Sequence, residues 1–176
     1  SDKGCLLVAN HVSFLDPPVV ACSVYHRGVC FMARDTLSNT WLGKWYFNGI
    51  GAVALDRTKG DVGALRKAIS LLKEGRTLGF FPEGTRSPDG ELKTAKAGVG
   101  FLVFKGHVPV VPAYIDGTFK ALPKNATRPK LSRISIRYGQ PIMPDDLKNM
   151  GTGKEAYEKI GMLIMSKIAE LKPKQE

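Results

Sequence analysis

The chain has 176 residues, 43% of them apolar, and a formal net charge of +10. That length fits one domain around a single core, and the apolar fraction excludes an intrinsically disordered chain. The excess of 26 Lys and Arg over 16 Asp and Glu favours an anionic partner, and charge alone does not choose among nucleic acid, anionic lipid headgroups and a phosphorylated substrate.

In chain order, Cys5 to Ala9 reads as a buried strand. Pro17 to Tyr25 reads as a helix, with Asp16 at the N-cap and Pro17 in the first helical position. Val29 to Ala33 is a second strand, Trp41 to Phe47 a short aromatic-rich helix, and Ala52 to Leu55 a third strand. Val62, Leu65, Ile69 and Leu72 repeat at helical spacing, with Gly75 as the stop. Thr77 to Phe81 is a fourth strand and Ala97 to Lys105 a helix, although Gly98 and Gly100 weaken it. Val110 to Ile115 and Ile134 to Tyr138 are further strands, and Lys154 to Leu171 a closing helix. Prolines 109 and 112 point to an edge position or a late start for the Val110 strand. Gly117 to Pro129, with two prolines and three basic residues, reads as a long surface loop. The alternation predicts an α/β fold: one domain over residues 1–176, with a mixed, largely parallel sheet flanked by helices. The longest apolar run, Ala97 to Phe104, falls far short of the roughly 20 residues that span a bilayer. Cys5, Cys22 and Cys30 form no CxxC pair and read as small buried hydrophobes in a reducing compartment.

The first chemical signal is Asn10-His11-Val12-Ser13-Phe14-Leu15-Asp16-Pro17. On one continuous helix His11 and Asp16 would stand about 140° apart and would not meet. They meet if His11 lies on the turn after the first strand and Asp16 opens the next helix, at the carboxyl edge where α/β sheets place their chemistry. A carboxylate bonded to one imidazole nitrogen fixes the tautomer, leaving the other nitrogen free as a general base. Taken alone, the pair is more often a helix cap beside a loop histidine. His11, Asp16 and Glu83 also have donor types suited to a metal, without the HExxH or Cys/His spacing that would support one. Ser13 as a nucleophile lacks a GxSxG elbow and stands only two residues from His11.

The second signal, Phe80 to Ser87, turns at Pro82 and Gly84 and concentrates Glu83, Thr85 and Arg86. Gly84 permits close backbone approach, and Arg86 offers a donor fork suited to phosphate. Glu83 is a candidate to orient Arg86 or to bind a substrate hydroxyl. Arg57 and Arg34 follow neighbouring apolar strands and, with Arg86, are candidates to converge on one dianion if those strands pair. Trp41, Trp45, Tyr46 and Phe47 suit either core packing or a membrane interface.

In order, His11-x4-Asp16, Gly51 to Arg57, Phe81 to Ser87 and Val108 to Ala113 resemble the four sequence blocks of the glycerophospholipid acyltransferase family, with its bacterial 1-acylglycerol-3-phosphate branch nearest. The resemblance covers roughly the first two-thirds of the chain. It implies a glycerolipid acyltransferase-like fold and a phospholipid-biosynthetic enzyme. The enzyme would move a fatty acyl group from acyl-CoA or acyl-carrier protein to the sn-2 hydroxyl of lysophosphatidic acid, giving phosphatidic acid. It further implies His11 as base, Asp16 as its partner, and Arg57 and Arg86, with Arg34, on the acceptor phosphate. Glu83, Gly84 and Thr85 would shape the site, and no cofactor or metal would be needed. Arg34 stands where the family often has lysine, and Ala95 where phenylalanine is common. The family usually carries helical, membrane-associating sequence upstream of its histidine block. By that likeness the chain is expected to be a catalytic domain lacking that part, peripheral on the cytoplasmic face of an anionic membrane. Glycerol 3-phosphate or another lysolipid is the rival acceptor. A basic nucleic-acid-binding domain is the rival outside enzymes, and no RNP motif, helix-turn-helix or Lys/Arg-rich run supports it.

Overall fold

A computed structural model describes residues 4–34, 52–55 and 60–174. The elements are β1 (Cys5–Ala9), α1 (Asp16–Ser23), β2 (Val29–Arg34), β3 (Ala52–Leu55), α2 (Gly60–Lys73), β4 (Thr77–Phe80), α3 (Ala97–Gly106), β5 (Val110–Asp116), α4 (Thr118–Ala121), β6 (Ser135–Tyr138) and α5 (Gly153–Ala169). The six strands form one sheet in the order β3-β2-β4-β1-β5-β6. All neighbouring pairs are parallel except β5 with β6. The predicted mixed, largely parallel sheet is therefore present.

The alternation of side chains along the strands divides the core between two faces. Leu6, Val8, Cys30, Leu78 and Val110 face one way, against Ala68 and Leu72 of α2, Val99, Leu102 and Val103 of α3, and Ile160, Ile164 and Ile168 of α5. Leu7, Ala9, Val29, Phe31, Ala113 and Ile115 face the other, against Val19 and Val20 of α1. Strands covered on both faces must be apolar throughout, which is why they read as continuous runs. The helices α3 and α5 approach closely at Gly100, where a Cβ would lie 1.9 Å from the carbonyl oxygen of Tyr157.

Three expectations need correction. The Val110 strand does start late, after Pro109, but it is internal, between β1 and β6, and not at an edge. Val110 exchanges both backbone hydrogen bonds with Ile142, and Pro112 accepts one from Gly139 N–H. The missing N–H of Pro112 thus faces the side where segment 139–142 leaves the β6 ladder, so the proline costs the sheet little. The Gly117–Pro129 stretch is not simply a surface loop: it contains α4, and Thr118 and Ala121 are buried. Its remaining part stays at the surface. Cys22 is exposed rather than buried. The predicted helix Trp41 to Phe47 lies outside the described residues.

Candidate active site

Because β1 and β4 are parallel neighbours, the turns that follow them emerge side by side at the carboxyl edge of the sheet. His11 stands on the first and Glu83 to Arg86 on the second. The two turns are joined by backbone: Ser87 N–H donates to the His11 carbonyl at 2.8 Å. They are joined again by a side chain, since His11 N–H donates to Glu83 Oε1 at 3.3 Å. The imidazole stacks on Phe81, with centroids 4.2 Å apart and 17° between planes. Upstream, Asn10 ties β1 to β5 with a pair of bonds: its Nδ2 donates to the Ile115 carbonyl and its Oδ1 accepts Ile115 N–H.

Asp16 is fully buried. Its Oδ2 lies 2.8 Å from His11 Nδ1 and accepts the backbone N–H groups of Val12 and Ser13, both at 2.7 Å. The expected N-cap role is therefore not what the carboxylate performs. It makes no cap bond to α1 and instead points back to organise the turn carrying the histidine. With Nδ1 engaged, Nε2 is the ring nitrogen left for a reacting group, on a side chain that is 18% exposed. Ser13 donates to the Leu122 carbonyl and accepts from Leu15 N–H, so its hydroxyl is committed to structure.

Glu83 is buried, and among the described residues its Oε2 has no hydrogen-bond partner. Burial, and secondarily the Asp16 charge, push its carboxyl from an ordinary 4.5 up to about 7, against the opposing pull of the His11 N–H. Below about pH 4.5 the group is protonated whether the chain is folded or not. From there to about pH 7 the unfolded chain loses the proton first, so this group makes the fold less stable as pH rises, and above that the full penalty stands. Glu83→Gln keeps an oxygen for the His11 amide and removes the charge. Relative to wild type, its unfolding midpoint is expected to be higher at about pH 8 and similar near pH 4.5. Thermal unfolding across that range checks this, and a difference independent of pH would place the cost elsewhere.

Arg86 lays its guanidinium over the Phe14 ring, 3.5 Å from the centroid, and its Nη1 reaches the Lys124 carbonyl at 3.4 Å. The cation thus sits between the first turn and the loop beyond α4. Gly84 has φ +68°, a conformation that favours glycine, and bonds its N–H to the Phe81 carbonyl. Thr85 is exposed on the same turn. Arg34 ends β2, whose neighbours are β3 and β4, so the strands preceding the three arginines are adjacent as required. Arg57 lies outside the described residues. Among the described residues, no group of three His, Cys, Asp or Glu side chains is placed to hold a metal ion.

The structure thus brings together His11, Asp16 and Glu83, with Arg86 beside them. Sequence reasoning gave Asn10 no role, and the one available signal was an amide residue ending an apolar strand directly before the histidine. It also read no contact between Glu83 and the His11 backbone, which links residues 72 apart.

Residues 1–116 match the family model described as Acyltransferase. A chloroplast 1-acyl-sn-glycerol-3-phosphate acyltransferase of Brassica napus is 35% identical over 125 residues, which are 70% of this chain and 36% of that protein. The enzyme of the same description from Bacillus subtilis is 26% identical over 176 residues, covering 99% of this chain and 84% of its own. The crystal structure of the 1-acyl-sn-glycerophosphate acyltransferase PlsC from Thermotoga maritima superposes with a TM-score of 0.79 at 31% identity, over 100% of this chain and 69% of that one. Against the Brassica protein, then, this chain spans only about a third of the length. With two-thirds of its residues inside the family match, and with the histidine and glutamate turns both lying there, the chain belongs to the acyltransferase family.

Proposed function

We propose that this chain transfers a fatty acyl group from a thioester, acyl-CoA or acyl-carrier protein, to the sn-2 hydroxyl of 1-acylglycerol 3-phosphate. The observation that carries the reading is the 2.8 Å contact between His11 Nδ1 and buried Asp16, which leaves Nε2 as the basic nitrogen at the sheet's carboxyl edge. The relatives' descriptions supply the acceptor class.

In this mechanism the acceptor hydroxyl lies against His11 Nε2. As its oxygen attacks the thioester carbonyl, its proton passes to the imidazole, and Asp16 stabilises the imidazolium formed. The tetrahedral intermediate expels the thiolate, which takes the proton back from His11. The new ester bond replaces the broken thioester, and a free thiol leaves. Stacking on Phe81 and the Glu83 contact hold the histidine turn still, so little is lost to reorientation. Arg86, Arg34 at the end of β2 and Arg57, two residues after β3 in the sequence, hold the acceptor phosphate.

The test is release of free thiol from acyl-CoA in the presence of lysophosphatidic acid, with glycerol 3-phosphate and other lysolipids as comparison acceptors. Faster release with another acceptor would overturn the acceptor, and none with any would overturn the reaction. Arg86→Ala is expected to raise KM for the phosphorylated acceptor about tenfold to a hundredfold, the usual worth of a charge-assisted hydrogen bond, with a smaller change in kcat. An unchanged KM would assign the guanidinium to its Phe14 and Lys124 contacts instead.

Membrane association belongs to the same reading, since the acceptor is a lipid. Among the described residues no helix is long and apolar enough to cross a membrane.

A further inference from the structure

The segment from Gly117 to Ile134 contains five cations, Lys120, Lys124, Arg128, Lys130 and Arg133, and no carboxylate. Those 18 residues (117 through 134) thus hold a surplus of five in a chain whose formal net charge is +10. Among the described residues none of the five cations is within salt-bridge distance of a carboxylate; the ion pairs there lie elsewhere, between His11 and Asp16, on α5, on the turn before it and at Glu91. Lys120, Arg128, Lys130 and Arg133 are exposed. Between Lys130 and Arg133 stands Leu131, fully exposed at 108%, with Ile134 partly exposed close by. Held wholly in water between cations, the Leu131 side chain buries no apolar surface in the fold.

The segment is also tied down, so its cations keep a fixed relation to the site. Lys130 N–H donates to the Ala121 carbonyl at 2.7 Å. Pro123 bridges to Ser13, and the Ser13 hydroxyl donates to Leu122. Arg86 reaches Lys124 while covering Phe14, itself 40% exposed. The basic segment therefore borders the turn that carries His11, two residues before Ser13.

We infer that residues 117–134 form a docking loop for an anionic lipid bilayer, with Leu131 entering the acyl-chain boundary and the cations lying at the phosphate level. Cations around a projecting apolar tip match that interface, where each contributes in its own layer. The choice of a bilayer over an acidic protein rests on the proposed lipid acceptor. Docking on this loop holds the histidine turn close to the surface from which such an acceptor comes.

Vesicle flotation of the 176-residue chain tests this. It is expected to float with vesicles of phosphatidylcholine and phosphatidylglycerol, not with phosphatidylcholine alone, and less as salt rises from about 0.1 to 0.5 M. Lys130→Glu with Arg133→Glu should lower the partition coefficient about tenfold or more, with Leu131→Asp acting in the same direction. All three positions are exposed, and unchanged thermal unfolding confirms that the variants fold. Leu131→Trp should add blue-shifted emission that brominated lipid quenches. Failure of the wild type to float with anionic vesicles would overturn the inference, as would variants that float like it. So would loss of acyl-carrier-protein binding in variants whose flotation is unchanged. The variants should still release thiol from acyl-CoA with a dispersed short-chain acceptor. If the wild type floats but releases no thiol with any acceptor, the proposed reaction falls while the docking loop stands.

Discussion

His11→Ala is expected to lower turnover by a factor on the order of 10² to 10⁴, the usual contribution of a positioned general base. The loss should fall on kcat, with KM for the acceptor changed much less, because the phosphate is assigned to the arginines. The variant should fold. Asp16 retains the Val12 and Ser13 N–H groups, and the backbone bonds from His11 to Glu83 and Ser87 do not involve the ring. What disappears is the stack on Phe81 and the base nitrogen. Thiol release measured against acceptor concentration separates the two constants, and turnover close to wild type would refute the histidine's role.

The second large effect concerns stability. Gly100→Ala places a methyl group where 1.9 Å separates it from the Tyr157 carbonyl oxygen and 2.5 Å from its carbon. Both are backbone atoms of α5 and have no rotamer by which to move. The helices must part, loosening Val99, Leu102 and Val103 against Ile160 and Ile164, all of them buried. Forcing extra volume into such a contact costs about 3 kcal/mol or more. Alanine's better helix propensity returns only about 1 kcal/mol, so the steric term wins. A net loss of roughly 2–4 kcal/mol lowers the melting temperature by roughly 5–15 °C in a chain of this size. Gly98→Ala on the same helix is the control. Its added carbon would come no closer than 3.8 Å to Leu65, an ordinary contact, so this substitution should leave stability equal or slightly higher. If calorimetry finds the two variants alike, the close approach at Gly100 is not what holds the helices together.

The strands and helices were legible because burial on both faces demands continuous apolar runs, and those runs stand out between glycines and prolines. The His11–Asp16 pairing was legible for a different reason: four blocks in the right order gave a meaning that the pair alone lacks. What Asp16 does there was not. A carboxylate in the first turn of a helix after a loop reads as a cap, whereas in the fold it is turned back onto Val12 and Ser13. The interior position of β5 was hidden by Pro112, whose missing donor is harmless only because of where its neighbour ends. Thr118 and Ala121 were hidden by their company of prolines and lysines. The clasp of Asn10 on Ile115 joins positions 105 apart, beyond the reach of any local pattern.

The place of β1 in the sheet also governs how the protein comes to be made. It is central, yet Leu6 pairs with Leu78 and Val110, 72 and 104 residues later. A ribosome adding roughly 5–20 residues per second leaves that strand without its second neighbour for roughly 5–20 s. During that interval an apolar edge is open to other nascent chains, and until residues 81 to 83 emerge the histidine turn has neither the glutamate nor the phenylalanine that hold it. Completion of the site therefore waits for β5, and depends on whatever shields the first strand until β5 has been synthesised.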